Sequence, residues 1–519
     1  MSKIGQFRSE ITFVLVFSII ISTLCPFQYG LHLAELNAPH DMIICETKPV
    51  TDKLVSSKNF QFLDCIQMTE AEFAFLTSVY ILGGLIGAIL AGPASGRYGR
   101  LLSMRLSCLF FTIGSIVETV SDSVPTMSTG RFINGLGAGT ATVVTPLYIH
   151  EIAPPKMRGL LGTMTQIMIC LGILTTQTLG YIFSSDAQWR IIIGFGAGLG
   201  IFSLVALFFI PESPTWLAAN NNLQLAKKIM QRIRGADHPT RGEIAKWNNH
   251  SDTSTEEDPL LTSTDQDHVG QSGPYNSRDL ITNNTEPQQK GFFSLIRDPS
   301  YRPATFILIG IMFAQQFSGV NSVNLYSVSL FRGALPVSSM FLTILISCIN
   351  IVVTILCAPL SDIIGNKKCL LISIISMGIM SFCLAISLML TKQLLSAIFV
   401  VLFVISFAVG LGPVPFRMAS ELVGEEAVSA AQSWSLAGNY ISTYIVAQFF
   451  PIVNFWMNAK WGGMGWVYFL FTAFLGMSAI FVALLVPQSK GKVKTGEVDG
   501  QATGEDITVQ NSSGIHQSV

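Results

Sequence analysis

Carboxamides stand inside long apolar stretches of this sequence, among them Gln166, Gln315, Gln316, Asn321, Asn350 and Asn439. A carboxamide both donates and accepts hydrogen bonds. In an apolar helix such a group tends to face a cavity or the interior of a bundle rather than lipid. Neutral groups of this kind suit a solute rich in hydroxyls, held against apolar and aromatic walls. The plainer assignment is that some of them only tie helices together, at about 0.6 kcal/mol each. A second set is ionisable. His32 and Glu35 are three residues apart at the end of the first apolar stretch, on one helical face, and Arg131 lies in the fourth stretch. Histidine titrates near neutral pH, and a charge in lipid costs roughly 2.5–3.5 kcal/mol or more. His32 and Glu35 form a candidate proton site; alternatively Glu35 sits in a wet vestibule and His32 packs helices. Enzyme chemistry has no comparable footing: the sequence shows no His pair at helical spacing, no Gly-rich phosphate loop and no cysteine pair at metal-ligand spacing. Neither a cofactor nor a metal is expected, and no nucleic acid, because the formal net charge is −1.

The elements that must position these groups follow from composition. The chain has 519 residues, 50% hydrophobic and 12% charged, with a mean hydropathy of +0.51. Soluble proteins carry about 25% charged residues, so much of this surface faces something other than water. Twelve apolar runs, from about 11–35 to about 464–486, are each long enough to cross a bilayer. Backbone groups cannot go unpaired in lipid, so each must be a helix. The expected fold is an all-α membrane protein of twelve transmembrane helices in two pseudo-symmetric six-helix bundles. The expected divisions are an N-terminal bundle over 1–210, a linker over 211–302 with a helical start and a disordered remainder, a C-terminal bundle over 303–489 and a tail over 490–519. An internal repeat supports the halves. Gly-Arg-Tyr-Gly-Arg at 96–100 matches Ser-Asp-Ile-Ile-Gly-Asn-Lys-Lys at 361–368, Glu151 matches Glu421, and Pro-Glu-Ser-Pro at 211–214 matches Pro-Gln-Ser-Lys at 487–490. Parallel halves of this kind are a transporter architecture, with the solute near the midplane. Lys and Arg concentrate on one side if the linker is cytosolic, which places both termini in the cytosol. Cys45 and Cys65 share the polar segment after the first run, and a disulfide is open to them if it faces an oxidising compartment. No cleaved signal peptide is expected.

These landmarks resemble the sugar porter branch of the major facilitator superfamily over nearly all the chain except the linker and tail. The motifs that carry the likeness are Gly130-Arg131-Phe132-Ile133, then Tyr148, Glu151, Pro154, Arg158 and Gly159, then Pro211-Glu212-Ser213-Pro214. Gln315-Gln316-Phe317-Ser318-Gly319-Val320-Asn321 and Gly410-Leu411-Gly412-Pro413-Val414-Pro415 complete the series. His32-Leu33-Ala34-Glu35-Leu36-Asn37-Ala38-Pro39 is most similar to fungal members, several of which reside in the vacuolar membrane.

The resemblance implies transport of a sugar or sugar-like small solute by alternating access, as a uniporter or coupled to protons. Its alternatives are a transporter-like nutrient sensor and a carrier of a non-sugar metabolite. It implies a solute cavity lined by the six amides, with Phe416 where the family often has Trp. It also implies a conformational latch formed by Arg97, Arg100, Glu151, Arg158, Glu212, Asp362, Lys367 and Glu421. Coupled relatives use an acid in the first span near the fourth-span arginine, and His32 stands at the matching position, so the resemblance extends the candidate proton site to Arg131. The chain departs from the family at Ala408, Phe416 and Thr443 near the cavity, and at Gly96, Val428 and Gln488 in the latch. Arg417 is also unusual; it either neutralises an anionic solute or, the favoured assignment, caps carbonyls beside the proline-broken helix. Finally, Glu256-Glu257-Asp258-Pro259-Leu260-Leu261 fits an acidic dileucine sorting signal, with Glu256, Leu260 and Leu261 as its key residues. The expected partners are the lipid bilayer, a small solute, protons where coupling holds, and a sorting adaptor. The vacuolar membrane is favoured over the plasma membrane.

Overall fold

A computed structural model describes residues 12–44, 65–155, 157–183, 188–235, 294–323, 339–423 and 427–487. Twelve helices among these residues are long and apolar enough to cross a membrane. The first six are α1 (Phe13–Ala34), α2 (Ala71–Tyr98), α3 (Arg100–Thr119), α4 (Val124–Ile152), α5 (Arg158–Ile182) and α6 (Trp189–Ala206). The second six are α7 (Arg302–Val323), α8 (Met340–Cys357), α9 (Asn366–Met389), α10 (Gln393–Met418), α11 (Val428–Trp461) and α12 (Trp466–Leu485). Their outward faces are apolar: Phe13, Leu356, Phe455 and Leu484 are 71–80% exposed, as befits lipid-facing side chains.

Helix starts and breaks have local causes. α2 opens with a capping box, in which the Thr69 N–H donates to Glu72 Oε2 at 2.7 Å and the Glu72 N–H to Thr69 Oγ1 at 3.3 Å. α2 and α3 are divided by Gly99, whose φ of 99° and ψ of 162° turn the chain back at once. Gly365 adopts φ 86° and ψ 150° directly before α9, so the two halves repeat the same backbone device. α10 is broken: its first helix ends at Val409, and a second begins at Val414 beyond Gly410-Leu411-Gly412-Pro413. Proline cannot donate to the ladder and glycine weakens it, so carbonyls are released there.

Within a half, small residues let helices touch backbone to backbone. A Cβ on Gly83 or Gly87 of α2 would strike Phe132 O or Leu136 O of α4, and one on Gly139 would strike Gly84 O of α2. Such close approach replaces the hydrophobic drive that is missing between helices in lipid. α2 packs on α11 and α5 on α8, which joins the two halves. Nearest the chain termini, Ser429 donates to Gly92 O at 3.1 Å. Midway, Thr142 Oγ1 meets Tyr440 Oη at 3.1 Å. At the far end, Ser78 donates to Gln448 Oε1 at 2.8 Å and Ser347 to Gln177 Oε1 at 2.6 Å. The halves therefore touch at both ends. After α6, short helices Pro214–Ala219 and Leu223–Arg234 follow. The second docks under α4, where Arg234 donates to Ile152 O at 2.6 Å and Ala153 O at 3.2 Å.

Candidate functional site

Four of the six expected amides form one hydrogen-bonded chain. Gln315 Nε2 donates to Leu411 O at 2.8 Å and Gly412 O at 3.1 Å, the carbonyls released by the break in α10. Gln315 Oε1 accepts from Asn439 Nδ2 at 2.7 Å and from Gln316 Nε2 at 3.2 Å. Gln316 Oε1 in turn accepts from Asn321 Nδ2 at 2.5 Å. Gln315 thus has both its donors and both its acceptor sites occupied, and it fixes the broken helix to α7 and α11. Gln316 and Asn439 keep hydrogen-bonding capacity to offer a solute. Gln166 faces from the N-half, donating only weakly to Cys170 Sγ at 3.4 Å. Asn350 is half-buried on α8 and accepts from Thr354 at 3.4 Å. Phe416 is buried just past the break.

The ionisable candidates also meet, with company that sequence reasoning missed. Arg131 Nη1 donates to Glu35 Oε1 at 2.8 Å and to His32 O at 2.7 Å. His32 Nδ1 lies 2.8 Å from Glu35 Oε2, and its Nε2 lies 3.3 Å from Ser115 Oγ. Glu35 is 1% exposed, so it is no residue of an open vestibule. A second carboxylate joins from α3: Glu118 is fully buried, accepts from Asn134 Nδ2 at 2.7 Å, and has Oε2 3.7 Å from Arg131 Nε. Two carboxylates thus share one guanidinium. The Arg131 guanidinium also lies 5.5 Å from the Tyr80 ring, and Tyr80 stacks with Tyr29, whose ring meets Tyr440 of the other half edge-on at 6.4 Å. Glu118 carried a signal, an acid near the end of an apolar run, but it is easily mistaken for a helix-end residue.

The latch candidates separate. Arg100 and Glu151 form a buried two-point pair, with Nε to Oε2 at 3.0 Å and Nη2 to Oε1 at 2.7 Å, and Arg100 Nη1 reaches Ser95 O at 2.8 Å. Glu212 instead caps the start of α3, accepting from the N–H groups of Arg100 and Leu101 at 3.1 Å each. Burial pushes its carboxyl above the usual carboxylate range, and its backbone donors act the other way. Arg97 is exposed and lies over the Tyr98 ring, away from that pair. Arg158 is half-buried at the start of α5. In the C-half, Glu421 Oε2 accepts from Asn366 Nδ2 at 2.5 Å, while Lys367 is half-buried one residue further on. Asp362 lies on the short helix Leu360–Ile364, its side chain outside the described residues, as are Glu256, Leu260 and Leu261. Arg417 caps a carbonyl of the other half: Nη1 donates to Gly159 O at 3.0 Å. Cys65 is disulfide-bonded, and Cys45 lies outside the described residues.

Two parallel six-helix halves, touching at both ends around an amide chain set against a broken helix, define a membrane transporter of the major facilitator type. The sequence matches the sugar (and other) transporter family over residues 18–495. It is 32% identical to a probable metabolite transport protein of Saccharomyces cerevisiae, covering 94% of this chain and 95% of that one. It is 28% identical to the yeast vacuolar protein sorting-associated protein 73, over 93% and 96% of the two chains. Human solute carrier family 2, facilitated glucose transporter member 3 is likewise 28% identical, over 96% and 95%. The fold matches a structure of the proton:xylose symporter XylE bound to 6-bromo-6-deoxy-D-glucose, with a TM-score of 0.72 at 22% identity, covering 92% of this chain and 97% of that one. The chain belongs to the sugar (and other) transporter family, and it is an integral multi-pass membrane protein that moves a sugar or a related small solute.

Proposed function

We propose that the solute is neutral and polyhydroxylated, and that it binds between the halves against Gln316, Asn321 and Asn439, with Gln166, Asn350 and Phe416 facing it. The observation that carries this reading is the amide chain anchored by Gln315 on Leu411 O and Gly412 O. It presents neutral donors and acceptors at one place and holds the unwound segment still. Arg417, the cation closest in sequence to this segment, is engaged with Gly159 O, which favours a neutral solute over an anion. Uptake of labelled hexoses, pentoses, polyols and organic anions into proteoliposomes tests it. Saturable uptake of a neutral sugar, reduced at least tenfold by Gln315→Ala, is expected; carriage of anions alone refutes it.

A second reading, proton coupling, is favoured by one observation. Glu35 and Glu118 place two carboxylates on one arginine in a dry site. With His32 neutral the cluster carries one uncompensated negative charge, and burying that is costly. A proton on His32 or on a carboxylate removes it. Uptake is then expected to rise with an inward acid gradient and to fall with a protonophore, and Glu118→Gln is expected to abolish that sensitivity. Uptake indifferent to both pH and protonophore rejects coupling.

For orientation we take both termini as cytosolic, supported by the Lys and Arg bias and by the Cys65 disulfide in the segment at the opposite end. The vacuolar membrane is favoured by the fungal resemblance, by a relative named for vacuolar protein sorting, and by the Glu256, Leu260, Leu261 signal, which would engage a sorting adaptor. Leu260→Ala with Leu261→Ala should redirect a fluorescent fusion to another membrane; an unchanged address removes that signal from the argument.

A further inference from the structure

The internal repeat makes Arg417 intelligible. Gly99-Arg100 and Gly365-Asn366 have the same backbone conformation at the same point of each half, directly before α3 and α9. Glu151 ends α4 and Glu421 ends the second helix of α10, again in equivalent places. In the N-half the two positions form a buried guanidinium–carboxylate pair. In the C-half the position equivalent to Arg100 holds no cation: Asn366 stands there and donates to Glu421 through its amide. A buried arginine nevertheless occupies this site. Arg417, 5% exposed, donates through Nη2 to Asn366 Oδ1 at 3.2 Å and to Ser361 Oγ. It stands one turn before Glu421 on the same helix, the spacing at which side chains share a face. Asn366 thus lies between the arginine and the acid, its Oδ1 taking the first and its Nδ2 serving the second.

Coming from α10 rather than α9, the guanidinium does what Arg100 does not: it crosses to the other half. Nη1 reaches Gly159 O at the start of α5, and a Cβ on neighbouring Gly162 would lie 3.1 Å from the Arg417 side chain. Arg100 by contrast is spent within its own half, on Glu151 and Ser95 O.

We propose that Arg417 is the relocated cation of the C-half latch, and that from this place it also bolts the two halves together at the end nearest the chain termini. A guanidinium presents five donors in a fixed fork, so one side chain can serve both halves where a single ammonium would not. When that end opens, the bond to Gly159 O breaks while those to Asn366 and Ser361 travel with the C-half. Arg417 is thus a positioning residue that sets the balance between the two open states. The inference rests on alternating access but not on the identity of the solute.

Its test needs no solute. A cysteine at Ser429→Cys, which lies at the same end and touches Gly92 across the halves, is labelled with a membrane-impermeant maleimide applied to that side, and mass spectrometry separates it from the native cysteines. Arg417→Gln is expected to raise the labelling rate about tenfold, the change that one bond worth about 1.4 kcal/mol to the closed state produces. Adding Asn366→Arg to Arg417→Gln is expected to recover part of that change, because a cation returns to the position equivalent to Arg100. If Arg417→Gln does not fold, Arg417→Lys with and without Asn366→Arg gives the same comparison. Labelling unchanged by either single substitution overturns the bolt, and a double variant that labels no more slowly than the single one overturns the relocation. Failure of sugar uptake with normal labelling would instead count against the solute reading alone.

Discussion

At the scale of single residues, the site shows how much a partner decides. Glu212 belongs to a motif expected to act in a latch, yet its carboxylate closes the N-terminus of α3 over Arg100 and Leu101. A carboxylate at a helix N-terminus is stabilised by the dipole and by unpaired N–H groups, but here burial outweighs them and raises its pKa. A raised folded-state value means that the proton is held more tightly in the folded protein. The stability it contributes is complete below the unfolded value and is lost as pH rises through the folded one. The thermal midpoint of the purified protein should therefore rise, relative to Glu212→Gln, as pH falls from neutral toward the ordinary carboxylate range. Equal pH dependence of the two proteins would show that Glu212 does not titrate in this range. Part of this was open to inspection: amides and charges within apolar runs announce themselves. Gln315 stood out as an amide in an apolar run, but its role as the anchor of α10 did not, since that depends on which carbonyls the break leaves free.

At the scale of elements, α6 shows what small residues do. A Cβ on Gly196 would lie 2.5 Å from the His32 ring on α1, and one on Gly200 would strike Thr112 on α3. Gly198, between them, meets nothing within 4 Å and points outward. The helix therefore has one face that must be bare and one that need not be. Gly196→Val should lower stability by about 1–3 kcal/mol, the usual cost of overpacking, and should displace His32 from Glu35. Gly198→Val should be close to neutral. Thermal unfolding in detergent separates them, and similar losses for both would mean that α6 is not seated as described. Helix existence was fully legible, because twenty apolar residues admit only one backbone solution in lipid. Which glycines face a neighbour was not, because a helix in lipid has no polar face to mark its outside.

At the scale of the whole molecule, the halves meet at both ends, and transport requires that these contacts be made and broken in turn. At the terminus-side end the approach is close: a Cβ on Gly92 would strike Ser433 of α11. Gly92→Leu should wedge this end apart. Uptake should fall at least tenfold, by the arithmetic of a shift of about 1.4 kcal/mol between states, while equilibrium binding of the solute survives. Loss of binding together with uptake would place Gly92 in the cavity instead. The halves themselves were visible in the repeat of Gly99 and Gly365 and of Glu151 and Glu421, since both copies keep the same turn and the same helix-end acid. The exception at Asn366 came to light only in the tertiary structure, which placed Arg417 beside it.

The sequence by itself determined the twelve spans, the two halves, the family and the neutral chemistry of the amides within the spans. Each of these follows from local hydrophobicity, from short motifs or from side-chain chemistry that does not depend on neighbours. The tertiary structure decided who partners whom. Arg131 finds Glu35 across 96 residues and Arg417 finds Gly159 across 258. Glu118 becomes a member of the charged cluster only because α3 sets it beside α4. In lipid every buried charge must find such a partner, but the need is met by whichever helix the packing brings near, and that choice is not written in the order of the chain.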